Sequence, residues 1–447
     1  MIDEAAALQR CQELVALARK HGADAADAAF GASASEDISV RLGKLEDVSR
    51  SESESIGLRA FVGRRSASIS TSDFSDAALK ELATRVVEMA SAAPEDPYAG
   101  LAPDEALAKG ELPALDLVDK DDPSPQQLRE WALACEDAAR AVAGVTNSNG
   151  GSAAASRSVS ALATSNGFAR SHAATGFTLS ASVVAGEGGR MQTDHAYRSA
   201  RHAADLPDPG TIGREAGERT VARLDPGSMP SRAMPVVFDP RVGASLIGHL
   251  AGAIGGPAVA RKASFLIGLE ENQLFDPAIM IVDDPLKPRG LASRPFDGEG
   301  LACTRRDVIA GGRMTGWLTN VASAAQLGVP LTASASRGGG APGVRTHNLH
   351  MEPGSVTPEA LMTDIEEGVF ITQVFGQGVS LVTGDYSRGA SGFRISGGQI
   401  AGPVAEITIA GNLRDMFARL TPANDLMFER AVNVPTLRID GMTVAGS

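Results

Sequence analysis

The order of predicted elements in the first half of this 447-residue chain limits its possible folds more than any other feature. Apolar spacing predicts a helix, a set of strands and a second helix, and the same order then occurs again. The first set begins with a helix at about Glu4–Lys20 and closes with a helix that follows Ser75. The second set begins with the capping sequence Ser124-Pro125-Gln126-Gln127 and ends near Leu224. This order predicts one N-terminal α/β domain, residues 1–225, with a weak internal duplication.

The second half of the chain has a different texture, in which glycine pairs separate short apolar runs. The turn-rich segment Asp225–Pro230 marks the change and is the predicted domain boundary. Gly311-Gly312 and Gly397-Gly398 each lie between two predicted strands, as two-residue hairpin turns do. A few helices interrupt the strands, one of them after Asp239-Pro240. Residues 226–447 are therefore predicted to form a β-rich domain with a curved, mostly antiparallel or barrel-like sheet, and the whole chain to be α+β.

The charge and composition of the chain disfavour several classes of partner. With 41 Lys and Arg against 54 Asp and Glu, the net charge is −13, which argues against nucleic acid or an anionic membrane surface. Aromatic residues make up 4% of the chain, too few for stacking on single-stranded bases. The three cysteines lie far apart, which predicts a cytoplasmic protein without disulfides. We expect no signal peptide, and the uncharged stretch Val242–Ala260 is too rich in Gly and Ala to span a membrane.

The histidines and serines do not form a familiar hydrolase motif. A zinc peptidase helix needs His, Glu one residue later and His at i+4, whereas Leu250 and Ala253 occupy these positions after His249. His347 and His350 could share a metal ion, although separate solvent or backbone partners are the favoured interpretation. The sequence also has no G-x-S-x-G nucleophile elbow. The residues alone therefore indicate no self-evident active site.

Glycines and acidic residues in the second half are assigned structural roles. Gly338, Gly340 and Gly343 have G-x-G-x-x-G spacing, but no strand precedes them and no helix follows, so we predict a flexible surface loop. The acids of Asp283-Asp284 and Asp297-Gly298-Glu299 are predicted to lie in turns. Glu406 is surrounded by apolar strand residues and is predicted to need an ion-pair partner or a backbone amide.

Five segments spread along the chain form a recognisable set of motifs. Val382–Phe393 (VTGDYSRGASGF) and its continuation Pro403–Leu413 (PVAEITIAGNL) are the longest. Arg294-Pro295-Phe296-Asp297, His350-Met351-Glu352-Pro353-Gly354 and the segment Ser51–Asp73 complete the set. Together they resemble the TldD/PmbA family, once described as modulators of DNA gyrase. The resemblance implies a predicted metallopeptidase family whose two subunit types form a heterodimer that cuts unfolded or extended peptides.

Within that family, the chain resembles the PmbA (TldE) type of subunit. In the TldD type, the glycine-rich helix carries HExxxH and a late Cys completes the zinc site. The corresponding window here is approximately Ile247–Gly252, without a ligand His or Glu in register, and no Cys follows Cys303. The resemblance therefore implies no metal ligands and no catalytic residues in this chain, with zinc expected only in a TldD-type partner. It implies a subunit that shapes the substrate chamber and can bind peptide by strand addition.

Two alternatives stay open at this point. The chain could be a homodimeric peptide-binding or interaction module without peptidase activity, or a hydrolase with an unrecognised site. Polar side chains on a glycine-rich segment, together with the lone histidine of the helix that follows Asp239-Pro240, are the candidates for substrate binding, although structural turn chemistry is the favoured interpretation of the segment. The candidates are His249, Asp385, Tyr386, Ser387, Arg388 and Ser391.

Overall fold

A computed structural model describes residues 3–446 of the chain. The helices of the N-terminal half are α1 (Glu4–Lys20), α2 (Asp76–Ala92), α3 (Pro125–Arg140) and α4 (Pro209–Val221). Its strands are β1 (Ala25–Arg41), β2 (Lys44–Val62), β3 (Arg65–Thr71), β4 (Val145–Thr164), β5 (Ala169–Ala185) and β6 (Gln192–Ala200). Single-turn 3₁₀ helices at Gly188–Arg190 and Ala203–Asp205 flank β6.

The strands of the N-terminal half pair in the order β3-β2-β1-β4-β5-β6, and every pairing is antiparallel. The first strand of each predicted set, β1 or β4, lies at the centre of this sheet. The later strands of each set follow outward in sequence order on either side. Two units of helix, three strands and helix therefore share one sheet, which confirms the internal duplication.

The helices cover one face of this sheet and leave the other face to the C-terminal half. Ala28, Phe30 and Ile38 of β1 are buried in apolar cores shared with helices. Because side chains alternate along a strand, Asp27 lies on the opposite face, where it pairs with Arg337 of the C-terminal half. The N-terminal helices and the C-terminal half thus pack on opposite faces of the sheet, each against its own set of alternate side chains.

The C-terminal half contains mostly short strands and helices. Its helices are α5 (Pro240–Ala253), α6 (Gly256–Ala260), α7 (Val321–Leu327), α8 (Pro358–Met362) and α9 (Leu413–Ala418). Its first strands are β7 (Arg232–Phe238), β8 (Ile281–Asp283), β9 (Arg306–Ala310), β10 (Arg313–Met314), β11 (Ala335–Ser336), β12 (Gly343–Val344) and β13 (Leu349–Met351). The remaining strands are β14 (Glu367–Phe375), β15 (Asp385–Ser396), β16 (Gln399–Asn412), β17 (Leu420–Pro422), β18 (Val432–Asn433) and β19 (Leu437–Ala445).

The longer strands of this half close into a barrel. They pair in the order β16-β15-β14-β7-β19, and β16 also pairs with β19. The β14–β7 pair is parallel and the other barrel pairs are antiparallel, so the predicted mostly antiparallel, barrel-like sheet is confirmed. Helix α5 buries Leu246, Ile247 and Leu250 in the same core as barrel residues such as Val236. No helix within residues 3–446 is long and apolar enough to cross a membrane.

The two halves meet along the open face of the N-terminal sheet. Leu162 and Phe168 of the first half share an apolar core with Phe296 of the second. The loop that contains Gly338, Gly340 and Gly343, called the glycine-rich loop below, also reaches the sheet. A Cβ added to Gly57 of β2 would lie 2.6 Å from the carbonyl oxygen of Gly339. This loop therefore contacts the N-terminal half, which the sequence does not predict. The boundary between residues 225 and 226 stays a prediction.

Candidate functional site

His249 lies on α5, whose position is fixed by local sequence. The side chain of Asp239 caps the helix by accepting a hydrogen bond from the backbone N–H of Arg241 at 2.8 Å, and Pro240 occupies the first turn. His249 is half-buried, and its ring packs edge-on against Tyr386 of β15, with the centroids 6.2 Å apart. Packing of α5 in the barrel therefore places the histidine beside the strand that carries the other candidates.

Tyr386 and Arg388 set the electrostatics around this histidine. The Nε2 atom of His249 and the hydroxyl of Tyr386 are buried and have no hydrogen-bond partner among the described residues. Burial lowers the pKa of His249, and the positive charge of Arg388 acts in the same direction. Burial raises the pKa of Tyr386 to about 12, and Arg388 partly opposes this shift. At neutral pH, a neutral imidazole and a neutral phenol can therefore offer hydrogen bonds to a polar group.

Asp385 and Ser387 belong to the opposite face of β15. Side chains alternate along a strand, so neither shares the face of Tyr386. The Asp385 carboxylate accepts hydrogen bonds from Oγ1 of Thr383 at 2.6 Å and Nδ2 of Asn412 at 3.2 Å. These two bonds hold the pKa of Asp385 below its usual range. The aspartate therefore fixes the turn before β15, in agreement with the structural interpretation of this segment.

Ser391 lies further along β15, at the junction with the N-terminal half. It is buried and accepts a hydrogen bond from Nη2 of Arg223 at 3.0 Å, and Arg223 in turn lies 3.7 Å from Asp194. The serine is thus part of a polar contact between the halves. The structure brings together His249, Tyr386 and Arg388 and separates Asp385, Ser387 and Ser391 from them. A substrate-binding role for any of the six stays a prediction.

The described residues 3–446 contain no group of three or more His, Cys, Asp or Glu side chains placed to hold a metal ion. The two histidines that could share a metal by sequence have different partners. Nδ1 of His347 lies 3.0 Å from Oδ2 of Asp283, whereas Nε2 of His350 lies 3.5 Å from Oε1 of Glu352. The ring of His350 also packs edge-on against Phe428. The two histidines thus have separate partners, and each lies beside a carboxylate, which the prediction of solvent or backbone partners does not include.

Three buried side chains are arranged like a nucleophile, a base and an orienting acid: Cys303, His347 and Asp283. Sγ of Cys303 is 3.8 Å from Nε2 of His347, whose Nδ1 contacts Asp283. However, burial raises the pKa of the Cys303 thiol far above its usual range, and the nearby carboxylates Asp297 and Asp283 raise it further. The thiolate is the nucleophilic form of cysteine. This environment therefore disfavours the nucleophilic form of Cys303.

A buried ionic cluster joins the two halves and is the polar feature that the sequence predicts least. We define this cluster as Asp27, Arg59, Glu299 and Arg337. Asp27 accepts a hydrogen bond from Nε of Arg59 at 2.7 Å and also pairs with Arg337. Nη2 of Arg59 lies 3.5 Å from Oε1 of Glu299, and no side chain of the cluster is more than 9% exposed. Two acids and two bases thus compensate one another out of contact with water.

The prediction that the acids of this region lie in turns holds for Glu299 but not for Asp283, which ends β8, and the structure adds that these acids are buried. Asp283, Asp297 and Glu299 are 1%, 2% and 5% exposed. Their carboxylates accept hydrogen bonds from backbone N–H groups of neighbouring segments, which satisfies them without water. Glu406 behaves in the opposite way, since it is exposed at an irregular point of β16 with φ +54°. It therefore needs no buried partner.

We expect Glu299 to make the stability of the protein depend on pH. Burial raises the pKa of Glu299 from 4.5 to about 7, although Arg59 acts in the opposite direction. Between these two values the folded protein holds a proton that the unfolded chain releases. The contribution is therefore complete below the unfolded pKa and is lost as the pH rises through the folded pKa. E299Q should flatten the pH dependence of the urea unfolding midpoint between about pH 5 and about pH 8.

The control for this experiment is E111Q, at an exposed position outside the helices and strands. It should leave the pH profile of the wild type unchanged. If E299Q and E111Q give the same profile, the raised pKa of Glu299 is not the source of the pH dependence.

Sequence models of one family match most of the chain. The PmbA/TldA metallopeptidase domain 1 matches residues 26–90, the central domain matches residues 119–224, and the C-terminal domain matches residues 231–446. The ionic cluster spans the first and last of these matches. The unassigned connector between residues 90 and 119 contains no long helix or strand.

Individual relatives agree with these matches over nearly their whole length. The chain is 35% identical over 425 residues to metalloprotease PmbA of Escherichia coli O157:H7, covering 95% of this chain and 92% of that one. A solved structure from Bacteroides thetaiotaomicron, described as a proposed modulator of DNA gyrase, superposes with a TM-score of 0.91 at 25% identity over the full length of both chains. TldE from Thermococcus kodakarensis has the same fold, with a TM-score of 0.86 at 19% identity over 98% of this chain and 100% of that one. The chain therefore belongs to the PmbA/TldD metallopeptidase family.

Proposed function

We propose that this chain is the PmbA/TldE-type subunit of a two-subunit metallopeptidase that processes or degrades unfolded or extended peptides. In this proposal the chain is not itself catalytic. It shapes the substrate chamber, and a TldD-type partner holds the zinc. The family assignment and the similarity to proteins named PmbA and TldE support this choice of subunit type. The three cysteines are buried and unpaired, which fits the cytoplasmic location that belongs to the same proposal.

The observation that carries the proposal is the composition of α5. The resemblance to the family implies that residues Ile247–Gly252 of α5 correspond to the zinc-binding motif of the TldD type. Here the side chain of Ile247 is fully buried in the barrel core, and Gly248 has no side chain to offer. A Cβ at Gly252 would approach Cδ1 of Leu381 to 2.9 Å, so the helix is packed closely at that point. A catalytic zinc needs three protein ligands and an open position for water, and these residues do not fit it.

The chain nevertheless offers features that suit a peptide. The unpartnered polar atoms of His249 and Tyr386, with Arg388 beside them, can accept or donate hydrogen bonds. In addition, β3 pairs with β2 only over Ile56–Val62, so that Lys44–Ser53 of β2 has β1 as its sole strand partner within the described residues. An exposed sheet edge can take up an extended peptide as a further strand.

The test is to isolate the tagged chain with and without a co-expressed family member that carries HExxxH, and to measure zinc and peptide cleavage in each sample. We expect the chain alone to hold no stoichiometric zinc and to cleave nothing. The co-purified pair should contain zinc and cleave an unfolded peptide, and chelation by EDTA should abolish that cleavage. Equimolar zinc with EDTA-sensitive cleavage by the chain alone would overturn the proposal.

The second candidate is a homodimeric peptide-binding or interaction module without peptidase activity. The exposed edge of β2 favours it, because unpaired strand edges also join identical chains. The same purification separates the two proposals. A stable homodimer that recovers no HExxxH-bearing partner and binds peptide without cleaving it would support the second candidate.

A further inference from the structure

A cavity of ≈ 140 Å³ lies between the open face of the N-terminal sheet and the C-terminal half. A cavity of this size holds a group about as large as benzene. Strands β1, β4 and β5 form one wall, and the segment 294–298 with the glycine-rich loop forms the other. The side chains that matter here are three polar and three apolar ones: His172, Arg294, Arg337, Ala29, Leu162 and Phe296.

Three polar side chains of the lining each have a nitrogen atom without a partner. Nδ1 of His172, Nε of Arg294 and Nε of Arg337 are buried and make no hydrogen bond among residues 3–446. Arg337 is otherwise satisfied, because it pairs with Asp27. Arg294 differs, since no carboxylate of the described chain lies within 4 Å of its guanidinium. Nε–H of each arginine is a donor, and Nδ1 of His172 is one in the tautomer that carries its proton there. Buried donors without acceptors are costly, so these groups around one cavity indicate a missing acceptor.

Two of the polar side chains that line the cavity, Arg294 and His172, lie close to other positive charges. Burial lowers the pKa of Arg294 to about 10, and the positive charge of Arg345 acts in the same direction. Burial lowers the pKa of His172 to about 4, with Arg294 and Arg201 acting in the same direction. The carboxylate of Asp297 lies in the wall, but its oxygens accept three backbone N–H groups at 2.9–3.0 Å. It is therefore engaged with the backbone, and an incoming anion would relieve the repulsion among the cations.

We propose that this cavity binds the free C-terminal carboxylate of an extended peptide, with Arg294 as the residue that pairs with it. The planar guanidinium of arginine matches a carboxylate in a two-bond fork. Neutral His172 and Nε of Arg337 complete the polar side. This site rests on the proposed function, because it supplies an anchor for one end of the peptide in the chamber that the subunit shapes.

The apolar part of the lining decides between a peptide end and a simple anion. The side chains of Ala29, Leu162 and Phe296 offer inorganic phosphate no hydrogen bond, whereas the last residue of a peptide carries a side chain next to its carboxylate. Burial of that side chain adds a favourable contribution that a free anion lacks. The cavity therefore favours a carboxylate attached to an apolar group.

The test uses the full chain and two fluorescein-labelled peptides of one sequence ending in Leu, one with a free C-terminal carboxylate and one with a C-terminal amide. Fluorescence anisotropy gives the affinity for each. We expect the free acid to bind at least about tenfold more tightly than the amide. R294M should weaken binding of the acid by about 10- to 100-fold and leave the amide unchanged. R294K, which keeps the charge but loses the fork, should give an intermediate loss.

R394M is the matched control, since Arg394 is exposed on β15 and pairs with Glu367 on the barrel. It should change neither affinity. Equal affinity of the wild type for acid and amide, or binding of neither, overturns the inference even if R294M fails to fold. Competition by inorganic phosphate at lower concentration than acetate also overturns it, in favour of a phosphate site. Neither result touches the proposed function, which stands or falls on zinc content and partner-dependent cleavage.

Discussion

D27A is expected to lower the free energy of unfolding by about 3–5 kcal/mol, because it removes the carboxylate that two buried arginines share. Asp27 is 2% exposed and pairs with Arg59 and Arg337 at the junction of the halves. Without it, Glu299 at 3.5 Å is the carboxylate that remains beside Arg59, and burial raises the pKa of that carboxyl to about 7. Uncompensated buried charge is among the largest single effects that a substitution can produce.

Urea unfolding followed by tryptophan fluorescence can measure this effect in each half separately. The chain has two tryptophans, Trp131 on α3 and Trp317 in the C-terminal half, so W131F and W317F backgrounds report one half each. D47A, at an exposed position of β2, is the control and should change stability by no more than about 0.5 kcal/mol. A D27A midpoint equal to that of D47A would show that the cluster carries no stability.

A variant that replaces all charges of the cluster tests whether the cluster stabilises the junction or only selects the way in which the two halves pack. Buried ion groups exchanged as a set for apolar residues of similar volume are often neutral in stability. We therefore expect the quadruple variant D27L/R59M/E299M/R337M to be less destabilised than D27A alone. Such non-additivity is the signature of groups that act as one network.

The fold could be predicted from the sequence to the extent that it depends on local patterns. The helix at about Glu4–Lys20 and the cap Ser124 follow from apolar spacing and cap chemistry, and both are confirmed. The hairpin turn at Gly397-Gly398 follows from its glycines, which have φ +57° and +80°. The closure of the barrel through the β16–β19 pair could not be predicted, because β-strand pairing between distant segments leaves no local pattern.

The junction between the halves is where sequence reasoning is weakest. One signal was present, since Asp27 is an acidic residue within the small apolar run Ala25–Phe30, and an acid in a buried strand requires a partner. Nothing in a single sequence says that the partner is Arg337, which lies 310 residues further along the chain. The same reasoning applies to Arg294, whose motif is visible in the sequence but whose cavity forms only when both halves meet.

G392A is expected to destabilise the barrel by about 3 kcal/mol and to disturb the candidate site with it. A Cβ at Gly392 would overlap the carbonyl oxygen of Phe370 and lie 2.9 Å from Cα of Ile371 on the neighbouring strand β14. Both are backbone atoms, so relief requires the two strands to separate at the point where their register already shifts. Because β15 also carries Tyr386, G392A should weaken peptide binding as well as lower the unfolding midpoint.

The matched control is G402A, on the adjacent strand β16, where an added Cβ would meet nothing within 4 Å. That substitution should change stability by no more than about 0.5 kcal/mol and leave peptide affinity unchanged. Both quantities can be measured on the same samples, by urea unfolding of the Trp317 signal and by anisotropy of a labelled peptide. If G392A and G402A behave alike, then β14 and β15 do not approach as closely as the structure places them. If G392A loses stability but keeps full peptide affinity, the register of β15 does not position the side chains that bind peptide.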